Sequence, residues 1–400
     1  MINSRPMPKS VKGDWKPAVA ICHPRIGWGG SERKVFWGIE ALKKDYRISL
    51  ITAGRFDLDE MNAYHGTSLK EDDFNVSQAP LPFFLKRNAK AAAIRYALFQ
   101  RYCSRQSTFY DAMISAYGPC DFGVPAIYYV SDFAWNDKIR ESLHPAHPGL
   151  FYRKHIIRTF YLSVAKRLHR PTGRATFAPG DKIISVSGWV ADLLRKRFKV
   201  DSEVIHPPIP GHFPHLAATK KEAGFVCLGR IAPEKRIEEV IAILRAVRES
   251  HPEIHLHIIG RLEDDSYGRH IKKRIYKNRE WVEHEGRLIG KEKEDLLSAH
   301  RFGIHACRGD AYPGAVAEMV KAGSIVFSHK IGGQSEIIES SDLLFCSVSD
   351  AIIKICGVLQ SKHLQQDLQS HLETKGGTFS TASFMRRFKN AVDLFMLNPS

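Results

Sequence analysis

The stretch His305–Gly323, HACRGDAYPGAVAEMVKAG, constrains this chain more than any other. Phe302, Ile304 and Ala306 read as a short buried strand that stops at Arg308-Gly309-Asp310. Pro313 and Gly314 then open a helix in which Ala315, Val316, Met319 and Val320 recur at helical spacing. Gly323 closes the helix, and Ser324–Phe327 reads as the next strand. A strand–loop–helix–strand unit of this kind belongs to an open α/β sheet, where ligands bind in loops at the carboxyl ends of strands.

Two carboxylates mark this unit. Asp310 lies on the loop and Glu318 just over one turn into the helix. The free N–H groups and partial positive charge of a helix start attract phosphate or sugar oxygens, and carboxylates beside them accept from hydroxyls. That combination describes a nucleotide-sugar site. The plainer alternative makes Asp310 a loop residue near a helix dipole and pairs Glu318 with Lys321 on a solvated face.

The same alternation recurs along the chain. Pro17–Cys22 reads as a strand, His23–Gly30 (HPRIGWGG) as a glycine-rich turn, Glu32–Lys43 as an amphipathic helix and Ile48–Thr52 as a second strand. This start is not the dinucleotide fingerprint. The third glycine is missing from its offset, and no acid ends the second strand, which argues against a nicotinamide enzyme. Gly29 and Gly30 can admit a ligand to the backbone or can simply make a tight turn. Met113-Ile114, Ala126–Val130 and Lys182–Val186 are further strands, the second ending in Ser131-Asp132. Val204–Pro210 contains three prolines and reads as an interdomain linker.

Beyond it, Phe225–Leu228 is a strand ending in Gly229-Arg230, and Pro233-Glu234-Lys235 is expected to open a helix. Cations in a first helical turn oppose the dipole at a cost of about 0.3–1 kcal/mol each. An anion held there would explain them, which makes Arg230 and Lys235 a candidate diphosphate clamp. Alternatively, Glu234, Glu238 and Glu239 neutralise them locally. His329–Glu336 is one more strand-to-helix loop with paired glycines, and Ala351–Leu359 and Ser383–Met396 are closing helices.

With 400 residues the chain has room for two or three domains, and 44% hydrophobic and 26% charged residues are ordinary for a globular protein. No apolar run reaches the roughly 18 residues of a membrane span. The first seventeen residues lack an apolar core, so no secretory leader is expected. Seven scattered cysteines without a CxxC fit reduced thiols in the cytoplasm.

The net charge of +16 calls for an anionic partner. It is concentrated in two acid-free stretches, Phe74–Tyr110 and Leu150–Arg174. Both are expected to be largely helical, and both interleave aromatics with lysine and arginine, which suits an anionic membrane surface. Neither contains a nucleic-acid motif, so nucleic acid is not an expected partner.

Four pieces, taken together in this order, resemble the retaining GT-B glycosyltransferases of the group 1 family: GWGGSER, LGRIAPEKR, DAYPGAVAEMVKAG and HKIGGQSEII. The resemblance implies an α/β protein of two facing Rossmann-like domains with an interdomain cleft. It places the acceptor-side domain at residues 1–210, the nucleotide-sugar domain at 211–380, and a last helix, 381–400, packed back on the first domain.

By the family pattern Arg230 and Lys235 bind the donor diphosphate, Asp310 contacts the donor sugar and Glu318 holds the ribose. Backbone at Gly29, Gly30, Gly314, Ala315 and Val316 meets the diphosphate. Asp310 stands where the family has glutamate, and Arg236 where it often has glycine. Ser131-Asp132 stands near the usual place of a histidine, so Asp132 becomes a candidate acceptor-side base or, equally, a helix N-cap.

The expected activity is metal-independent transfer of a hexose, with no cofactor, from a UDP- or GDP-sugar to a glycan acceptor, lipid-linked or of lipopolysaccharide type. The expected place is the inner membrane face. A nucleotide-sugar epimerase of the same fold is the first alternative, and a nucleic-acid-binding protein using its basic surface the more remote one.

Overall fold

A computed structural model describes residues 15–82, 91–133, 135–143 and 155–397. Among the described residues thirteen strands form two sheets. The first sheet contains β1 (Ala18–Cys22), β2 (Arg47–Thr52), β3 (Asn75–Gln78), β4 (Ala112–Ser115), β5 (Ile127–Val130), β6 (Lys182–Ser185) and β7 (Glu203–Val204). Their order is β3-β2-β1-β4-β5-β6-β7, every pair parallel.

The second contains β8 (Glu222–Leu228), β9 (Leu256–Ile259), β10 (Val282–Gly286), β11 (His300–His305), β12 (Ile325–His329) and β13 (Leu344–Phe345). Their order is β10-β9-β8-β11-β12-β13, again all parallel. The two-sheet α/β architecture is the one expected. Parallel strands need crossovers and bury both faces, which is why β1 and β12 are apolar or small almost throughout and fully buried.

The chain passes from one core to the other across the proline-rich segment. Ile205 packs in the first core and donates its N–H to Ser185 O at 3.0 Å, whereas Ile209 packs in the second. The last helix, Thr381–Leu397, returns to the first core through Phe384, Phe388, Ala391 and Val392. Phe388 lies 5.9 Å centroid to centroid from Tyr129, and Tyr46 Oη donates to Asp393 at 2.6 Å. Gly38 lets this helix lie close, because a Cβ there would stand 3.0 Å from the Phe388 ring.

One expectation changes. Pro233–Lys235 is a separate 3₁₀ turn, and the helix starts only at Ile237, after Arg236 at φ 55°. Lys235 therefore lies outside the helix, whose true first turn is acidic (Glu238, Glu239), as its dipole favours. The two basic stretches are helical over Ala92–Gln106 and His155–His169, and Tyr161 Oη accepts from Ala93 N at 2.9 Å. Phe83–Lys90 and Leu150–Lys154 of those stretches lie outside the described residues.

Phe388→Ala removes a buried ring from the contact that returns the last helix to the first core. We expect a loss of about 3–5 kcal/mol in chemical unfolding. A loss under about 1 kcal/mol would show that the helix is not integral to that core.

Candidate active site between two sheets

The carboxyl ends of the strands of both sheets face one another, and polar contacts join them. Ser187, after β6, donates its hydroxyl to Ala311 O at 2.7 Å. Glu336, from the helix Gln334–Ile338, accepts from Gly188 N at 2.9 Å and from Trp189 N at 2.5 Å. A carboxylate of the second domain thus occupies the start of the Gly188–Phe198 helix of the first. Arg33, on the Gly30–Leu42 helix, donates from Nη2 to Glu318 Oε1 at 2.7 Å.

Glu318 is buried, and its partners are not the one a solvated helix face would supply. Lys293 Nζ lies 2.8 Å from Oε2, while Lys321 donates instead to Ile209 O at 2.7 Å. Burial alone would raise the Glu318 carboxyl. Lys293 and Arg33 outweigh it and hold the group down at about 2. Oε2 has no aligned hydrogen bond, so the carboxylate keeps acceptor capacity.

Lys235 meets Asp310 at 2.5 Å. Burial alone would favour the neutral forms of both groups; their mutual attraction prevails, holding the lysine pKa up and the aspartate pKa well below its usual range. His305 Nε2 approaches the same Asp310 oxygen at 3.6 Å, and burial keeps this imidazole below its ordinary pKa. The Asp310 loop is fixed from below. Gly333 N donates to Asp310 O at 2.8 Å, and a Cβ on Gly333 would stand 2.2 Å from Ala311 O. The paired glycines of this loop therefore let two loops touch.

Arg230 is placed differently. Its guanidinium is 69% exposed and bonds Glu234. The local-neutralisation alternative thus describes Arg230, and Arg236 with Glu239, whereas Lys235 reaches across to Asp310.

The Gly314–Lys321 helix has no side-chain N-cap, so the N–H groups of half-buried Gly314 and Ala315 are the orphan donors of its first turn. Val316 N instead donates to Pro313 O at 3.0 Å, and its side chain is buried. Gly29 is the N-cap position of the first helix, and a Cβ on Gly30 would meet nothing within 4 Å.

The tip of β5 holds Ser131 and exposed Asp132. Beneath it Lys34 is buried; its ammonium donates to Tyr129 O at 2.7 Å and to Ser131 Oγ. Burial pushes this lysine down to about 7, with Asp132 and Glu32 opposing.

Residues 222–361 match the family model described as "Glycosyl transferases group 1". The whole chain superposes on sucrose-phosphate synthase from Thermosynechococcus elongatus (TM-score 0.71, 13% identity, 96% of this chain and 100% of that one). It also superposes on Anabaena HepE in complex with UDP and glucose (0.65, 13%, 94% and 100%). WaaG, a glycosyltransferase involved in lipopolysaccharide biosynthesis, matches with 0.64, 14%, 93% and 98%. A Xenopus laevis GDP-Man:Man(3)GlcNAc(2)-PP-Dol alpha-1,2-mannosyltransferase is 23% identical over 368 residues, 80% of this chain and 74% of that protein.

The chain resembles the group 1 glycosyltransferases over residues 222–361. Its two parallel sheets are those of the GT-B fold.

Sequence reasoning does not single out Arg33, Lys293, His305, Lys34, Ser187 or Glu336. Arg33 and Glu336 did stand inside the quoted motifs, and their motif membership was the available signal. Lys293 sits in the charged run KEKED, which reads as an exposed helix face, and nothing local distinguishes it.

The depressed Glu318 carboxyl couples stability to acid. A carboxyl at about 2 when folded and at an ordinary 4.5 when unfolded contributes stability above 4.5, which is lost as pH falls toward 2. We expect Glu318→Gln to flatten this acid limb in melting-temperature profiles between pH 7 and 2.5. Parallel profiles for both proteins would count against it.

Proposed function

We propose that this glycosyltransferase moves a hexose, with retention of anomeric configuration, from a UDP- or GDP-sugar to a lipid-linked or lipopolysaccharide-type glycan acceptor. The observation that carries this reading is the Lys235–Asp310 pair beside the uncapped helix start at Gly314, with Glu318 held by cations from both domains.

In this reading the donor diphosphate lies between the Gly314 and Ala315 N–H groups and the Lys235 ammonium, with backbone at Gly29 and Gly30 on its other side. Asp310 keeps one ammonium proton of Lys235 and accepts from a sugar hydroxyl. Arg230, exposed at the rim, turns from Glu234 to the phosphates. Glu318 accepts the ribose hydroxyls through Oε2.

As the anomeric C–O bond breaks, its electron pair passes to the diphosphate oxygen. Fixed cations and helix N–H groups stabilise that growing charge more than the ground state. The acceptor oxygen bonds to the same face, and its proton leaves toward Asp132. Charge stabilisation comes from side chains, so no divalent metal takes part in the transfer step.

Two things support the acceptor class. The Xenopus relative is named for a dolichyl-diphosphate glycan and GDP-mannose. The His155–His169 helix also exposes Phe160 and Leu162 together with Lys166 and Arg167, a combination of apolar and basic side chains suited to anionic lipid. No described helix is long and apolar enough to cross a membrane, so attachment in this reading is peripheral, at the cytoplasmic face.

Arg230→Ala and Lys235→Ala are expected to lower kcat by at least about 100-fold, measured by transfer from UDP- and GDP-sugars with folding checked by melting temperature. Near-normal rates in both folded variants would sink the clamp, and an inverted linkage in the NMR spectrum of the product would sink retention.

Membrane contact is tested separately by flotation with vesicles containing anionic lipid. Phe160→Ser combined with Lys166→Glu should weaken binding by about tenfold. Equal flotation of the variant and the parent would reject this face.

A further inference from the structure

At the opposite end of the second sheet, away from the cleft, four potential metal ligands converge. Glu222 begins β8, His255 and His257 flank Leu256 at the start of β9, and His300 begins β11. One ligand atom from each lies within 4.8 Å of every other.

The register produces this grouping. β8 lies between β9 and β11, Glu222 pairs with His300, and Phe225 pairs with Leu256. Side chains alternate across a sheet, so His255 and His257 share a face. Neighbouring cations are directed away: Lys221 Nζ donates to Ala322 O and Gly323 O, and Arg301 Nη2 to Lys221 O.

Three further observations point to a bound cation. First, His300 is buried and donates Nδ1–H to Leu296 O at 2.8 Å, which fixes the tautomer with a lone pair on Nε2. That Nε2 is buried and has no hydrogen-bond partner, a state a buried polar nitrogen rarely keeps without a ligand. Second, His257 Nδ1 is held by Glu285 Oε1 at 2.5 Å, leaving Nε2 for the cluster. A carboxylate behind a histidine is the usual support of a metal-binding imidazole. Third, Gly224 makes the space. A Cβ there would stand 2.1 Å from His255 Nε2, so only glycine admits this ring between the strands. His255 Nε2 in turn lies 3.3 Å from Glu222 Oε2, and His300 Nε2 lies 3.8 Å from the same oxygen.

We propose that Glu222, His255, His257 and His300 bind a structural zinc ion that ties together the starts of β8, β9 and β11. Three imidazoles and one carboxylate are a closed tetrahedral donor set, and zinc takes such ligands at about 2.0–2.2 Å. Tetrahedral bonds of that length put ligand atoms about 3.4 Å apart, close to the two separations given above. Small side-chain rotations close the remainder, with the half-exposed Glu222 completing the shell from solvent.

This end of the sheet is one strand length, about 15–20 Å, from the loops of the cleft. The inference is therefore independent of the sugar-transfer reading. The sequence signal is the H-x-H of His255-Leu256-His257. It is not a complete ligand spacing by itself, because His300 and Glu222 are remote in sequence and only the β8–β11 pairing brings them in.

The test uses the full chain, stripped with a chelator and titrated with zinc against a chromophoric indicator. Melting temperature is recorded with and without the metal. We expect one zinc per chain with a Kd below about 1 µM, a melting temperature that falls on stripping and recovers on zinc addition, and tetrahedral visible bands when cobalt(II) replaces zinc. His255→Gln and His257→Gln should weaken binding at least 100-fold. Glu285→Gln, acting through His257, should weaken it about tenfold.

Exposed Glu222→Gln should also weaken binding, and it decides the matter should a histidine variant fail to fold. Cys307→Ala should leave binding unchanged; it reports on the separate His305–Cys307–Asp310 grouping in the cleft. No zinc bound at micromolar concentration, unchanged affinity in the folded Glu222 and His255 variants, or loss of binding in Cys307→Ala would each overturn the proposal.

Discussion

A carboxylate cannot stay charged in a protein interior without counter-charge, because ion burial costs several kcal/mol even after the surroundings relax. Glu318 meets this constraint with two cations that come from different halves of the molecule, Arg33 across the cleft and Lys293 from its own side. The first domain therefore completes the electrostatics of a residue in the second. Losing Arg33 would leave the ion half compensated and would remove one of the polar contacts that hold the cleft edges together.

The rest of the site follows from strand direction. All strands run parallel within each sheet, so every strand-to-helix loop of a sheet opens at the same end. Placing the two loop ends opposite each other gathers the Asp310 loop, the Gly314 helix start, the Lys235 turn and the tip of β5 without any of them being close in sequence. Loop-to-loop contact at Gly333 and Ala311 then fixes the height at which Asp310 stands. Lys235 could not sit there as part of a regular helix. The left-handed Arg236 breaks the helix just after it and turns its side chain toward Asp310.

What could be read in the sequence was whatever rests on local pattern. The apolar runs of β1, β5, β8 and β12 and the stripes of the Gly30–Leu42 and Ile237–Val247 helices needed no tertiary knowledge. Two other helices carry a narrower stripe. Ser266–Lys277 has Tyr267, Ile271 and Ile275 four apart amid strong positive charge, and Lys362–Lys375 has Leu364, Leu368 and Leu372 amid polar residues. Asp310 and Glu318 were legible as candidates because a loop and helix start announced them, but their partners were not. The alternative of Glu318 with Lys321 failed because Lys321 turns to the Ile209 carbonyl, a contact with the linker that helical spacing cannot show.

The chain crosses between its two halves twice, once through His206-Pro207-Pro208 and once where the last helix departs after Phe379. These crossings run side by side, joined by the bond from Ile209 N to Phe379 O at 3.0 Å. Two tethers at one place behave like the two leaves of a door hung on a single post. A relative rotation of the halves would pivot at that post, and the Arg33–Glu318 and Ser187–Ala311 contacts lie across the cleft that such a rotation would open.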